Sequence, residues 1–182
     1  MKFEKVDNFL LFGGGSLFAD LAVLIQRSGY PIQTITSERH FKENLIEHHI
    51  TLKDFFETHN VETVVSDNIN SDGNVKEKIN SGTFGISVGA AWIFKREFIS
   101  LFSGRMVNSH GARLPQDRGG GGFSWRILRN DRLGFSMIHQ IEPGIDTGSI
   151  ISYKEYFFPH SCRLPIDYQR HSHTQNLELF KT

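Results

Sequence analysis

Phe9-Leu10-Leu11-Phe12-Gly13-Gly14-Gly15-Ser16-Leu17 is the stretch whose reading sets the fold. Four apolar residues end in three glycines. Ser16, a residue that favours helix N-caps, comes next, and Leu17, Leu21, Leu24 and Ile25 then recur at helical spacing up to Gly29. Strand, glycine turn and helix in that order open an α/β sheet of the nucleotide-binding type. The dinucleotide fingerprint G-x-G-x-x-G fails, because Phe18 stands where its third glycine belongs. A nicotinamide cofactor is therefore not expected. The glycines have two readings of equal weight. They make a tight turn, or the backbone N–H groups at the helix start meet a phosphate of a substrate, with Gly13 as the contact residue.

Working outward, residues 32–36 read as a second strand. Ser37 caps a helix running to about residue 49, with Phe41, Leu45 and His48 on one face. Thr51 caps a short helix over 52–56, and 61–66 is a third strand. Residues 67–82 are polar and read as loop with at most one helical turn. A fourth strand over 83–89, a helix over 95–102 and a fifth strand over 106–108 follow. The segment 111–122 carries Pro115 and four consecutive glycines, Gly119 to Gly122, and reads as a loop. A helix over 123–130, an alternating strand over 133–141 and a last strand over 148–158 complete the pattern. From about residue 159 the chain reads as an irregular tail. The whole of 1–182 is expected to be one domain.

Twenty basic residues balance twenty acidic ones, so charge gives no argument for a nucleic acid or for an anionic membrane, and neither partner is expected. No apolar run is long enough to span a bilayer, and the N-terminus lacks a signal-peptide profile. Cys162 is the single cysteine, which excludes an intramolecular disulfide and fits a cytoplasmic setting. Sixteen phenylalanines point to core packing. His48 and His49 are adjacent and face different sides of a helix, and surface positions are expected for both. His171 and His173 lack a third ligand at recognisable spacing, so no metal is expected.

The residue types that carry chemistry lie in Asn108-Ser109-His110 and in Glu142-Pro143-Gly144-Ile145-Asp146-Thr147-Gly148. Asn108 and His110 are two apart at the end of a strand, so both side chains leave on one face. An amide, an imidazole and a carboxylate together can catalyse acyl transfer: one holds the oxyanion, one moves a proton, one orients the base. Spacing alone gives equal weight to strand-end polar residues and a turn-forming Asp146. His139 shares a face with Leu133, Phe135 and Met137, and reads as a core or pocket-wall histidine rather than a catalyst.

The order of these pieces adds specificity. A strand, Ala90-Ala91-Trp92, a helix, a strand, Asn108-Ser109-His110, Leu114-Pro115, Arg118-Gly119 leading to Phe123 and Trp125, a strand, and Asp146-Thr147-Gly148 together resemble the folate-dependent formyltransferase superfamily. That group includes methionyl-tRNA, glycinamide ribonucleotide and sugar N-formyltransferases. The match spans about residues 84–151; Ala112-Arg113 replaces the usual Ser-Leu, and Gly122 replaces a common proline.

The resemblance implies a Rossmann-like, mostly parallel twisted sheet with helices on both faces. It implies formyl transfer from N10-formyltetrahydrofolate to an amine. Asn108 would donate to the oxyanion, His110 would move the proton or share the oxyanion, and Asp146 would orient His110. Trp92, Gln140, Ile141, Glu142 and Gly144 would form the folate pocket. Arg113 and Arg118 would meet the pyrophosphate of a nucleotide-linked amino sugar. Glycinamide ribonucleotide and methionyl-tRNA are the alternative acceptors, and a non-catalytic folate- or nucleotide-binding module is the alternative of another class. The expected partners are the folate donor and a small amine-bearing acceptor, with a homodimer left open. Against the tRNA-modifying relatives, the chain reads as a compact member or as a fragment whose C-terminal extension is missing.

Overall fold

Central parallel strands are buried on both faces, so they are written as continuous apolar runs rather than as alternations. Leu10, Leu11 and Phe12 fit that rule: each is fully buried in β1 (Asn8–Gly13). The computed structural model describes residues 5–120 and 122–181. The chain divides into two compact units, Met1–Asn108 and Ser109–Thr182. Among the described residues the strands and helices make a mostly parallel α/β fold.

In the first unit β1 is followed by α1 (Gly15–Arg27), β2 (Ile32–Thr36), α2 (Glu38–Phe41), α3 (Leu52–His59), β3 (Thr63–Val65), α4 (Gly73–Lys76), β4 (Thr83–Val88) and α5 (Arg96–Ser100). β1 pairs in parallel with β2, Phe9 opposite Ile32, and with β4, Gly13 opposite Val88. β2 pairs in parallel with β3. The strand order here is β3-β2-β1-β4. The phenylalanines do pack the core: the Phe12 ring meets Phe94, Phe98 and Phe102 edge-on at 5.6 to 5.9 Å. Phe18 on α1 meets Phe56 on α3 at 5.6 Å.

Three expectations in this unit change. Ser16 does not cap α1; Gly14 is the N-cap, and Ser16 lies buried in the first turn. Ser37 does cap α2, its hydroxyl accepting from the N–H of His40, but the helix stops at Phe41. The chain closes a loop there instead: Leu45 N donates to Ile50 O at 2.8 Å and Leu52 N to Glu43 O at 3.1 Å. Leu45 is buried from within that loop, so its spacing from Phe41 mimics a helical face. His48 is not a free surface residue: its Nε2 lies 2.9 Å from Asp20 Oδ1, and its ring meets Phe55 at 4.5 Å.

β5 (Met106–His110) runs through the division between the units. The second unit continues with α6 (Gly122–Leu128), β6 (Leu133–Gln140), β7 (Ile150–Phe157) and α7 (Pro165–Leu179). β6 and β7 pair antiparallel, with Leu133 opposite Phe157 and a register shift at Ile138 and His139. Tyr156, Phe158, Cys162 and Tyr168 form one core cluster, and Leu114, Phe135 and Met137 another.

The irregular tail is corrected here, because residues 165–179 are helical. Pro165 occupies the first turn, where its missing N–H costs nothing. The Asp167 carboxylate accepts the N–H groups of Arg163 and Leu164, each at 2.9 Å, which holds its pKa below the usual carboxylate range. The buried stripe of α7 is Tyr168, Ser172, Asn176 and Leu179. Two of those four are polar and are satisfied inside the unit. Tyr156 donates its hydroxyl to Ser172 Oγ at 2.9 Å, and Asn176 Nδ2 donates to Ser172 O at 2.8 Å. A stripe half made of polar residues shows no apolar period in sequence.

Candidate functional site

Met106 and Val107 bury the first half of β5, while Asn108, Ser109 and His110 are only half-buried at its carboxyl end. The apolar half fixes the strand and the polar half emerges from it, with Asn108 and His110 on the same side of the strand by the two-residue period. β6 is buried along most of its length. Phe135 and Met137 bury one face, and His139 is the next residue of that face. The loop between β6 and β7 then carries Asp146, whose backbone is left-handed with φ of 49°. Aspartate tolerates that region better than most residues.

These placements bring His110, His139 and Asp146 together. His110 Nδ1 stands 3.6 Å from Asp146 Oδ2, and His139 Nε2 stands 3.4 Å from Asp146 Oδ1. The two rings lie 6.1 Å apart and nearly perpendicular. Each group is held from outside the cluster. His110 Nε2 is 2.9 Å from the carbonyl of Asp117, and His139 Nδ1 is 2.9 Å from the carbonyl of Gln140. The N–H of Gly119 donates to Asp146 Oδ2 at 2.8 Å. The side chains are 11%, 3% and 16% exposed for His110, His139 and Asp146, so water screens the cluster weakly. Burial holds the His139 imidazole below its ordinary value of 6.5, while the carbonyl of Gln140 and the Asp146 carboxylate pull the other way.

The sequence places His139 as a pocket wall; in the structure it is a member of the cluster. Its signal is present in the sequence, as the polar residue ending an apolar face just before the Asp146 loop.

The other candidates are placed as follows. Gln140 ends β6, and its N–H donates to Ser149 O at 2.9 Å. Ile141 is half-buried, and Glu142 and Gly144 are exposed. Arg113 is exposed on the loop after β5. Arg118 lines a cleft of about 180 Å³ with Gly119, Gly120, Trp125, Arg126 and Arg129. Sequence reading names Arg118 alone among these arginines. Arg126 is buried, donates to the carbonyl of Leu133 and lies over the Phe135 ring. Arg129 lies over the exposed Trp125 ring at 5.7 Å and pairs with Asp117 at 3.6 Å. Helical spacing carries Trp125 and Arg129 to one face, which is the signal that could have found the second arginine.

In the first unit, Trp92 is half-buried with its ring 6.4 Å from that of Phe94. The turn after β1 has a steric reason for its glycines. A Cβ on Gly13 would lie 1.8 Å from the Val88 carbonyl oxygen, and one on Gly14 would lie 2.4 Å from the His40 ring. His40 Nε2 is 2.8 Å from Arg39 Nη2; a guanidinium only donates, so this imidazole accepts and is neutral.

No family model matches the chain. The fold itself is that of the formyltransferases. WlaRD, a sugar 3N-formyl transferase solved in the presence of dTDP and 5-N-formyl-THF, superposes with a TM-score of 0.76 at 20% identity, over 98% of this chain and 61% of that one. The N-formyltransferase from Helicobacter canadensis, complexed with folinic acid and dTDP-3-aminofucose, gives 0.75 at 17% identity, over 97% and 61%. Phosphoribosylglycinamide formyltransferase from Bacillus halodurans gives 0.74 at 18% identity, over 95% and 91%. In sequence, a methionyl-tRNA formyltransferase from Finegoldia magna is 25% identical over 150 residues, 80% of this chain. The chain spans about half the length of that curated relative, 48%. These likenesses all fall within the formyltransferase superfamily. Among the described residues, no helix is long and apolar enough to cross a membrane.

Proposed function

We propose that this chain transfers a formyl group from N10-formyltetrahydrofolate to the amine of a nucleotide-linked amino sugar. The observation that carries the reading is the His110–Asp146 pair, with His110 two residues after Asn108 on β5, in a chain with the formyltransferase fold. The neutral amine attacks the formyl carbon. A C–N bond forms, the carbonyl oxygen becomes an oxyanion and the nitrogen becomes cationic. Asn108 donates to the oxyanion, an interaction of the kind worth roughly 2.7–4 kcal/mol. His110 takes the ammonium proton, a contribution of about 10² to 10⁴ in rate. The oxyanion then collapses, the bond from carbon to the folate nitrogen breaks, and that nitrogen leaves with the proton that His110 gives back. Asp146 balances the charge that His110 gains. Trp92, Gln140, Ile141, Glu142 and Gly144 are the residues assigned to the folate.

Two features favour a nucleotide-linked acceptor. Arg118 and Arg129 offer forked donors to a pyrophosphate along one cleft, which Asp117 and Asp131 also line, and the exposed Trp125 offers a ring on which a base can stack. The dTDP-3-aminofucose complexed with the Helicobacter canadensis enzyme is a compound of this class. Gly13 and Arg113 are the remaining substrate candidates. Glycinamide ribonucleotide is the second reading, because the Bacillus halodurans phosphoribosylglycinamide formyltransferase superposes almost as well as the sugar enzymes, with a TM-score of 0.74 against 0.76 and 0.75. The test is a side-by-side assay with N10-formyltetrahydrofolate, amino-sugar nucleotides and glycinamide ribonucleotide, read by mass spectrometry. Formylation of the ribonucleotide alone overturns the sugar assignment.

A further inference from the structure

The cluster around Asp146 has a proton count that does not close by itself. A backbone carbonyl can only accept a hydrogen bond. The carbonyl of Asp117 therefore calls for the hydrogen of His110 on Nε2, and the carbonyl of Gln140 calls for that of His139 on Nδ1. In the neutral rings this leaves a lone pair on His110 Nδ1 and another on His139 Nε2. Those are the two nitrogens that face the Asp146 carboxylate, at 3.6 and 3.4 Å. Two lone pairs and an anion thus converge on one point. Such a set favours a positive centre, either a proton shared between a ring and Asp146 or a metal ion.

We infer that His110 Nδ1, His139 Nε2 and Asp146 form a binding site for a divalent transition cation of the Zn²⁺ class, and that cation and proton compete for it. One donor atom from each residue lies within 4.8 Å of the other two. Around a tetrahedral zinc with bonds of about 2.0–2.2 Å, neighbouring donors stand about 3.3–3.6 Å apart. The two measured separations, 3.6 Å from His110 to Oδ2 and 3.4 Å from His139 to Oδ1, are of that size, and a small turn of the carboxylate presents one oxygen to both. The outer contacts are those that metal-binding histidines use: each ring nitrogen turned away from the centre donates to a carbonyl, which fixes tautomer and orientation. The N–H of Gly119 does the same for the carboxylate. Two imidazoles select against Mg²⁺ and Ca²⁺, which prefer oxygen donors. Three protein ligands leave a fourth position for water.

A cation bound there occupies the His110 nitrogen that faces Asp146 and blocks proton uptake at that atom. On the formyl-transfer reading, zinc is therefore a reversible inhibitor. The binding itself stands on the donor geometry, whatever the reaction.

The experiment is a titration of the intact chain with Co²⁺, followed through the visible absorption of a tetrahedral cobalt site, and then with Zn²⁺ by calorimetry, both without folate. The expected result is one cation per chain, displacement of Co²⁺ by Zn²⁺, and an affinity at least about tenfold weaker in His139→Gln. Replacing His171, which lies on α7 against Tyr156 and Phe158, should change nothing. Because His139 is buried, His110→Gln is the second variant, with circular dichroism confirming the fold of each. No saturable binding below millimolar Zn²⁺, or an affinity indifferent to both replacements, overturns the inference. Formyl transfer is assayed separately in EDTA: activity there without metal binding sinks the inference alone, and metal binding without activity sinks the proposed function alone.

Discussion

The turn after β1 and the loop after β6 are two glycine-rich corners at the carboxyl ends of strands, and they differ in what their side chains must do. At the first, Gly13 and Gly14 are explained by sterics, since a Cβ on either would strike Val88 or His40. The nearby His40 is held towards its neutral form by burial first and by the Arg39 cation second. At the second, Gly148 has the same steric reason, its Cβ falling 1.8 Å from the Gln140 carbonyl oxygen. That corner also carries a left-handed aspartate with two imidazoles turned towards it. A glycine pattern alone therefore does not mark a site. The mark is a set of titratable groups whose charges must be settled by one another.

Substitutions can break this contrast, and the largest expected effect is at Gly13. Gly13→Ala adds strain at φ of 150° and a clash with fixed backbone, and should cost about 3 kcal/mol or more. A denaturation midpoint near wild type would show that the turn has room the contrast denies it. Gly14→Ala meets a side chain instead, and the ring can move. Its cost should be smaller, about 1–3 kcal/mol, read by the same urea titration.

His40 supplies a pH test of the first corner. Burial, then the Arg39 cation, hold its imidazole below 6.5, with Glu43 at 3.9 Å opposing them. The unfolded chain binds that proton more readily, so stability present above pH 6.5 is lost as pH falls below it. His40→Gln should flatten this part of the profile. An unchanged slope between pH 6.5 and about 5 would contradict it. The smallest expected effect is at Thr36, whose hydroxyl donates to Gly13 O at 2.7 Å. Thr36→Val should cost about 0.5–1.5 kcal/mol, and a stabilised variant would remove that hydrogen bond from the account of the turn.

Legibility in the sequence follows the same division. β1, α1 and the parallel strands are readable because an apolar run, a glycine turn and a helical period each have one physical cause. Asn108, His110 and Asp146 are proposed from order and spacing, and the structure brings His110 and Asp146 within 3.6 Å of each other. α7 is not, because Ser172 and Asn176 occupy half of its buried stripe and Ser172 is satisfied by Tyr156, remote in sequence. α2 reads too long because Leu45 is buried by a loop closure, which leaves no periodic trace. His139 is buried as its face predicts, but alternation reports which face a residue takes, not which carboxylate it meets there.

The central claim is that the Asn108, His110 and Asp146 set transfers a formyl group. The most direct measurement is amine-dependent formylation by the intact chain in EDTA, with N10-formyltetrahydrofolate and the acceptor panel, comparing wild type with folded His110→Asn and Asp146→Asn. The account predicts a formyl adduct on an amino-sugar nucleotide and a turnover at least about a hundredfold lower in both variants. Near-wild-type turnover in either variant, or no formyl adduct on any amine, would contradict it.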